Sequence, residues 1–285
     1  GSELPHSSNL HPNQYSTDKP ERNTKPIDLY GHGTAVAYII NSIAPAATLY
    51  SIKMMDDMGN IGGLILALYL AEINFMPDIY NLSLSITCNT ICEYCFKKND
   101  NVINVEQIEM FFSFLNNKIN NKTHPLIIAA AGNQPPIIEM PACFDNILAV
   151  GSYENKHSIF NSYNNVDPNL FILAPGGIDD SKQCIGYKNS FNQNKSFKTN
   201  EFGTSFSTAF VTGIAARYLC SCNKNNPCFN GIKTNTKFNN KDFILECLRK
   251  SASRKINKFN RHVHGMGLAQ YDQSILGKIN LKNYF

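Results

Sequence analysis

The chain has 285 residues, 43% of them hydrophobic and 17% charged, with a formal net charge of +4. That is enough apolar material for a substantial core, in one large domain or two modest ones. Lysines and asparagines are scattered rather than clustered, which argues against a nucleic-acid surface, and no run of about eighteen apolar residues is present to form a membrane-spanning helix.

Residues 1–30 are polar and rich in Pro, Ser, Asn and His, and read as an irregular loop. The spacing of Val36, Ile39, Ile40 and Ile43 predicts a helix from His32 to Ile43, opened by Gly31-His32-Gly33. Leu49 to Met54 reads as a strand, about Gly62 to Asn74 as a buried helix, and Ile79 to Leu84 as the next strand. A polar, cysteine-bearing insertion covers 87–104. It is followed by a helix from Val105 to Lys118 with Ile108, Phe111, Phe112 and Leu115 on its apolar side. Leu126 to Ala130 and Ile147 to Val150 read as strands, and 177–200 as a loop of low hydrophobicity. Gly203-Thr204-Ser205 then leads into a helical run through Val211, Ile214, Ala215 and Tyr218, and 221–241 is a second insertion rich in Asn and Lys. Strands alternating with helices predict an α/β domain with a parallel sheet. Ligands of such sheets bind beyond the carboxyl ends of the strands.

Three segments carry candidate chemistry. Ser205 stands at the first turn of a buried helix, where unpaired N–H groups and the positive end of the helix dipole favour an oxyanion. His32 lies between two glycines at the head of another helix. Asn133 follows an apolar strand that ends in Gly132. Each has a plain structural counterpart: Ser205 as an ordinary N-cap, His32 as a helix-start histidine bonded to backbone, Asn133 as a left-handed turn residue, and Ser83 as a buried strand serine. Asn133 and Ser83 end or follow strands while His32 and Ser205 open helices, so all four can gather on one rim.

The order His32, Asn133, Ser205 closely resembles the subtilisin-like serine proteases. The likeness extends through Ala44-Pro45-Ala46-Ala47-Thr48-Leu49, Asp78-Ile79-Tyr80-Asn81-Leu82-Ser83, Met140-Pro141-Ala142, Asn146-Ile147-Leu148-Ala149-Val150-Gly151, Leu173-Ala174-Pro175-Gly176 and Gly265-Met266-Gly267-Leu268. It implies a single three-layer subtilisin-like domain over 1–285, with a mostly parallel central sheet flanked by helices and with insertions at 87–104 and 221–241. It implies a serine endopeptidase acting through an acyl-enzyme: Ser205 as nucleophile, His32 as general base and then acid, and Asn133 as oxyanion donor. Ser83, Leu84 and Ser85 would hold an extended peptide as an added strand. Ala129, Ala130, Ala131 and Gly132 would wall a roomy pocket for an apolar or large side chain. Where the family has glycine after Ser-Leu this chain has Ser85, expected to narrow the cleft.

The family's catalytic Asp lies on a first core strand well before the histidine, and nothing before His32 reads as that strand. Gly1 to Pro12 resembles the loop that follows it, so the sequence is expected to begin just after the Asp and to lack that strand. Asp18 and Asp28 lie in loops with nothing to fix them against an imidazole. The absent Asp and Ser85 motivate the alternative, a catalytically inactive relative that binds peptide or a protein partner.

No metal motif or dinucleotide loop is present, and no cofactor is expected. The resemblance allows a structural calcium, with the pairs Asp56-Asp57 and Asp179-Asp180 as candidate ligands or plain solvated turns. It implies a peptide or protein substrate and allows a pro-segment as partner. Nine cysteines include the clusters Cys88, Cys92, Cys95 and Cys220, Cys222, Cys228. These are read as local disulfides in a secreted or extracytoplasmic protein, with free thiols and a zinc site as the competing readings.

Overall fold

The computed structural model describes residues 31–53, 61–86, 110–112, 125–134, 138–154, 159–160, 169–177, 186–188, 196–198, 202–221, 240–256 and 258–279. The predicted acid-bearing loop with Asp18 and Asp28, the cluster Cys88–Cys95, Cys184, Cys222, Cys228 and both acidic pairs lie outside these residues. So does most of the predicted helix over 105–118, of which 110–112 are helical.

The centre is a parallel sheet. Strands β1 (Ile79–Leu82), β2 (Leu126–Ala130), β3 (Ile147–Glu154) and β5 (Leu170–Ala174) run in the order β1-β2-β3-β5, all parallel. The short β4 (Ile159–Phe160) pairs antiparallel with the end of β3. Every residue of β2 is buried, which is why its sequence is continuously apolar: both faces of a central parallel strand are covered.

Alternate residues of β2 feed two separate cores. Ile127, Ala129 and Ala131 join Leu64, Leu68 and Ala71 of helix α2 (Ile61–Asn74) on one face. Leu126 and Ile128 join the other face, with Val211, Ile214, Ala215 and Tyr218 of helix α3 (Thr204–Ser221) and Phe243, Ile244, Cys247 and Leu248 of helix α4 (Asn240–Ser251). These are the three layers. Helix α1 (His32–Ile43) packs along α3 through Ala35, Val36, Ile39 and Ile40 against Phe206 and Ala209. Gly213 permits this approach, because a Cβ there would lie 2.8 Å from Ile43 Cβ.

After the short helix α5 (Arg261–His264) the chain returns along β5. Met266 N–H donates to Phe171 O, Leu173 N–H to Gly267 O and Ala269 N–H to Leu173 O. Gly265 and Gly267 have positive φ, and a Cβ on either would come within 2.3 Å of a neighbouring carbonyl oxygen.

Several predicted elements change. Leu49 to Lys53 is not a strand: only Ser51 makes a single bridge, so the segment lacks the ladder that its apolar residues led us to expect. Within the expected loop 177–200, Gly186–Lys188 (β6) and Ser196–Lys198 (β7) pair as a short antiparallel ladder. The insertion expected at 221–241 is trimmed at both ends, since α3 runs to Ser221 and α4 begins at Asn240. Cys220 is a thiol rather than part of a local disulfide, held on the exposed side of the last turn of α3. Cys143 and Cys247 are thiols as well.

Candidate active site

The carboxyl ends of β1 and β2 and the amino-terminal turn of α3 meet at one point. Ser205 is the second residue of α3, so its backbone N–H is among those with no intrahelical acceptor. Ser83 follows β1 directly. Its hydroxyl donates to Ser205 O at 2.7 Å, and the Ser205 hydroxyl donates back to Ser83 O at 3.1 Å. The tie continues into the fold: Asn81 Nδ2 donates to Ser83 Oγ at 3.0 Å, and Thr212 Oγ1, two turns along α3, donates to Asn81 Oδ1 at 2.9 Å.

Asn133 lies across from this pair. Its Oδ1 accepts the Thr204 backbone N–H at 2.9 Å and the Thr204 hydroxyl at 3.0 Å. Because a backbone N–H can only donate, the amide orientation is fixed and Nδ2 is left as the outward-facing donor. The Thr204 hydroxyl also accepts the Gly132 N–H at 3.2 Å, and its single proton is shared between Asn133 Oδ1 and Gly132 O, the latter at 3.2 Å. Gly203 has φ +145°, and a Cβ there would stand 2.9 Å from Asn133 Nδ2. Gly203 N–H donates to Gly176 O at 2.8 Å, which anchors the turn before the serine to the loop after β5. Gly176 is itself enclosed: a Cβ would meet Ser152 Oγ, Ser207 Oγ and Gly203 O.

His32 is the first residue of α1, behind Gly31 in a left-handed conformation. Its ring packs at 5.5 Å, centroid to centroid, on Phe206, the neighbour of Ser205. His32 is therefore beside the turn that carries Ser205, although the Ser205 hydroxyl is turned onto Ser83 rather than onto the imidazole. Among the described residues no carboxylate is hydrogen-bonded to His32.

Of the predicted substrate-holding residues, Ser83 and Leu84 are half-buried and Ser85 is exposed. Ala130, 1% exposed, and Gly132 are buried at the end of β2. Sequence reasoning gave no role to Thr204, Asn81 or Thr212. The Gly-Thr-Ser run was visible, but the partner that the threonine would grip was not. Among the described residues no group of three His, Cys, Asp or Glu side chains is placed to hold a metal ion.

The model of the subtilase family matches residues 3–255, and the chain belongs to that family. A thermophilic serine proteinase of Bacillus sp. (strain AK1) is 26% identical over 219 residues, 70% of this chain and 45% of that protein. The subtilisin-like protease PopC of Myxococcus xanthus (strain DK1622) is 24% identical over 283 residues, 92% of this chain and 53% of that protein. The chain thus spans about half the length of the curated relatives it matches. Among solved structures, a lanthipeptide protease superposes with a TM-score of 0.65 at 19% identity, covering 90% of this chain and 78% of its own, which shows a shared fold. Among the described residues no helix is long and apolar enough to cross a membrane.

Proposed function

We propose that the chain is a serine endopeptidase that cleaves extended polypeptides through an acyl-enzyme. One observation carries this reading: the head of α3 brings Ser205 against Ser83 while Thr204 aims the Asn133 amide at the same turn. Ser205 Oγ attacks the peptide carbonyl. His32 takes its proton and later returns it to the leaving amine. Asn133 Nδ2 and the Ser205 N–H receive the oxyanion, helped by the positive end of α3. The peptide lies as an added strand along Ser83, Leu84 and Ser85. A carboxylate outside the described residues would orient His32. Membership of the subtilase family and the two protease relatives support the same assignment.

The test is covalent labelling by a fluorophosphonate together with cleavage of an unfolded protein. Both are expected for the full-length protein with the acid that orients His32 present, and Ser205→Ala should lose labelling and lower turnover by about a millionfold. Peptide binding without either would leave the inactive relative as the better reading. We also infer an extracytoplasmic location from Cys88, Cys92, Cys95, Cys222 and Cys228, which lie outside the described residues. Mapping their pairing by mass spectrometry tests it, and wholly reduced clusters in the native protein would count against it.

A further inference from the structure

Glu139 is the one carboxylate among the described residues that is buried, at 3% exposed, and the chemistry above does not use it. Its place in the fold is defined by three strands of backbone. Glu139 N–H donates to Ala131 O at 2.9 Å, on the segment that leads to Asn133. The next residue, Met140, pairs antiparallel with Ile86, on the segment that follows Ser83, Leu84 and Ser85. Residues 138–140 thus form the cross-piece between the two segments that flank the candidate cleft.

Successive N–H groups pointing to opposite neighbours mark this cross-piece as extended, so its side chains alternate. Ile138 and Met140 enter the core beneath α2, as do Ala131, Leu84 and Ile86. Glu139 therefore projects to the opposite face, and so do Ser83 and Ser85. That face is the one on which Ser83 bonds Ser205. A buried carboxyl consequently lies on the same side of the cross-piece as Ser83 and Ser205, between the two segments.

We infer that Glu139 makes the protease selective for a cationic side chain, Lys or Arg, at the residue whose carbonyl Ser205 attacks. This rests on the proposed endopeptidase activity. Glu139 already engages neighbouring protein groups, but a carboxylate has about four acceptor sites and can take a further donor. An ammonium or guanidinium entering there forms a charge-assisted bond in a setting that solvent screens weakly. An apolar side chain would remove the carboxylate's remaining hydration and give nothing back. Ala130 adds little bulk there, and the buried carboxyl reverses the apolar preference expected from the alanines alone.

The experiment uses the full chain and matched peptides that differ only in Arg, Lys, Leu or Phe before the scissile bond. Expected kcat/KM favours Arg or Lys by about a hundredfold. In Glu139→Gln, with folding checked by thermal melting, the Arg-to-Leu ratio should fall at least about tenfold. A second measurement needs no variant: an arginine peptide aldehyde should block fluorophosphonate labelling of the unmutated protein at far lower concentration than its leucine analogue. Labelling and cleavage with no cationic preference, or a ratio unchanged in Glu139→Gln, would overturn the inference and leave the protease reading intact. No labelling and no cleavage of any peptide would overturn both.

Discussion

Asn133 Oδ1 accepts two hydrogen bonds from Thr204, one from its backbone and one from its hydroxyl. The residue before Ser205 therefore holds the amide proposed as oxyanion donor, and one side chain sets both halves of the candidate site. Asn133→Ala should lower kcat by about a hundredfold to a thousandfold with KM little changed. Thr204→Val keeps the backbone bond but loses the hydroxyl's, so about a tenfold loss is expected, with Thr204→Ser restoring most of it. Steady-state kinetics on one peptide would separate these cases.

Gly203→Ala should be far worse than its single methyl implies. The φ of +145° disfavours any Cβ, and the added carbon would press on the Asn133 amide. We expect a stability loss of about 2 kcal/mol or more together with loss of most activity, read by denaturant melting and turnover.

Ser207→Ala should act in the opposite direction. The Ser207 hydroxyl is fully buried and has no hydrogen-bond partner among the described residues. Removing an unsatisfied hydroxyl relieves a desolvation cost, so a gain of up to about 1 kcal/mol is expected in thermal or denaturant unfolding.

Burial lowers the pKa of His264 below its ordinary value. Its Nδ1 accepts the Asn260 N–H at 2.9 Å, a bond that only the unprotonated nitrogen can make. The unfolded chain thus binds a proton more readily than the folded one. The stability from His264 is complete above the ordinary value of about 6.5, declines below it, and is lost once the pH passes under the folded pKa. His264→Gln should flatten the stability profile as the pH falls below about 6.5.

The parts of the molecule visible in the sequence are those in which local pattern and burial coincide. Helix α1 shows its buried stripe directly, and β2 shows its continuous burial. The head of α3 was legible because glycine, threonine and serine precede an apolar run. Strand β5 could have been found from Leu170 to Ala174, an apolar run stopped by Pro175. Helix α4 could have been found from Phe243, Ile244, Cys247, Leu248 and Ser251, with Asp242 at its start and Arg249 and Lys250 at its end. The β6–β7 ladder is different: each strand has three residues, and pairing between polar segments leaves no periodic trace. Leu49 to Lys53 failed for the converse reason, since an apolar run becomes a strand only when a neighbour completes its ladder. In the site, His32, Asn133 and Ser205 were each marked by their local setting. Thr204, Asn81 and Glu139 take their importance from partners far away in the chain, which no spacing records.

The Ser83 carbonyl that now holds the Ser205 hydroxyl belongs to the very segment along which a bound peptide would run. A ligand strand pairing there competes for that oxygen with its own amide. Under the proposed function, docking would then evict the hydroxyl and release it to swing toward His32, so the resting site would be self-latched and the peptide its key.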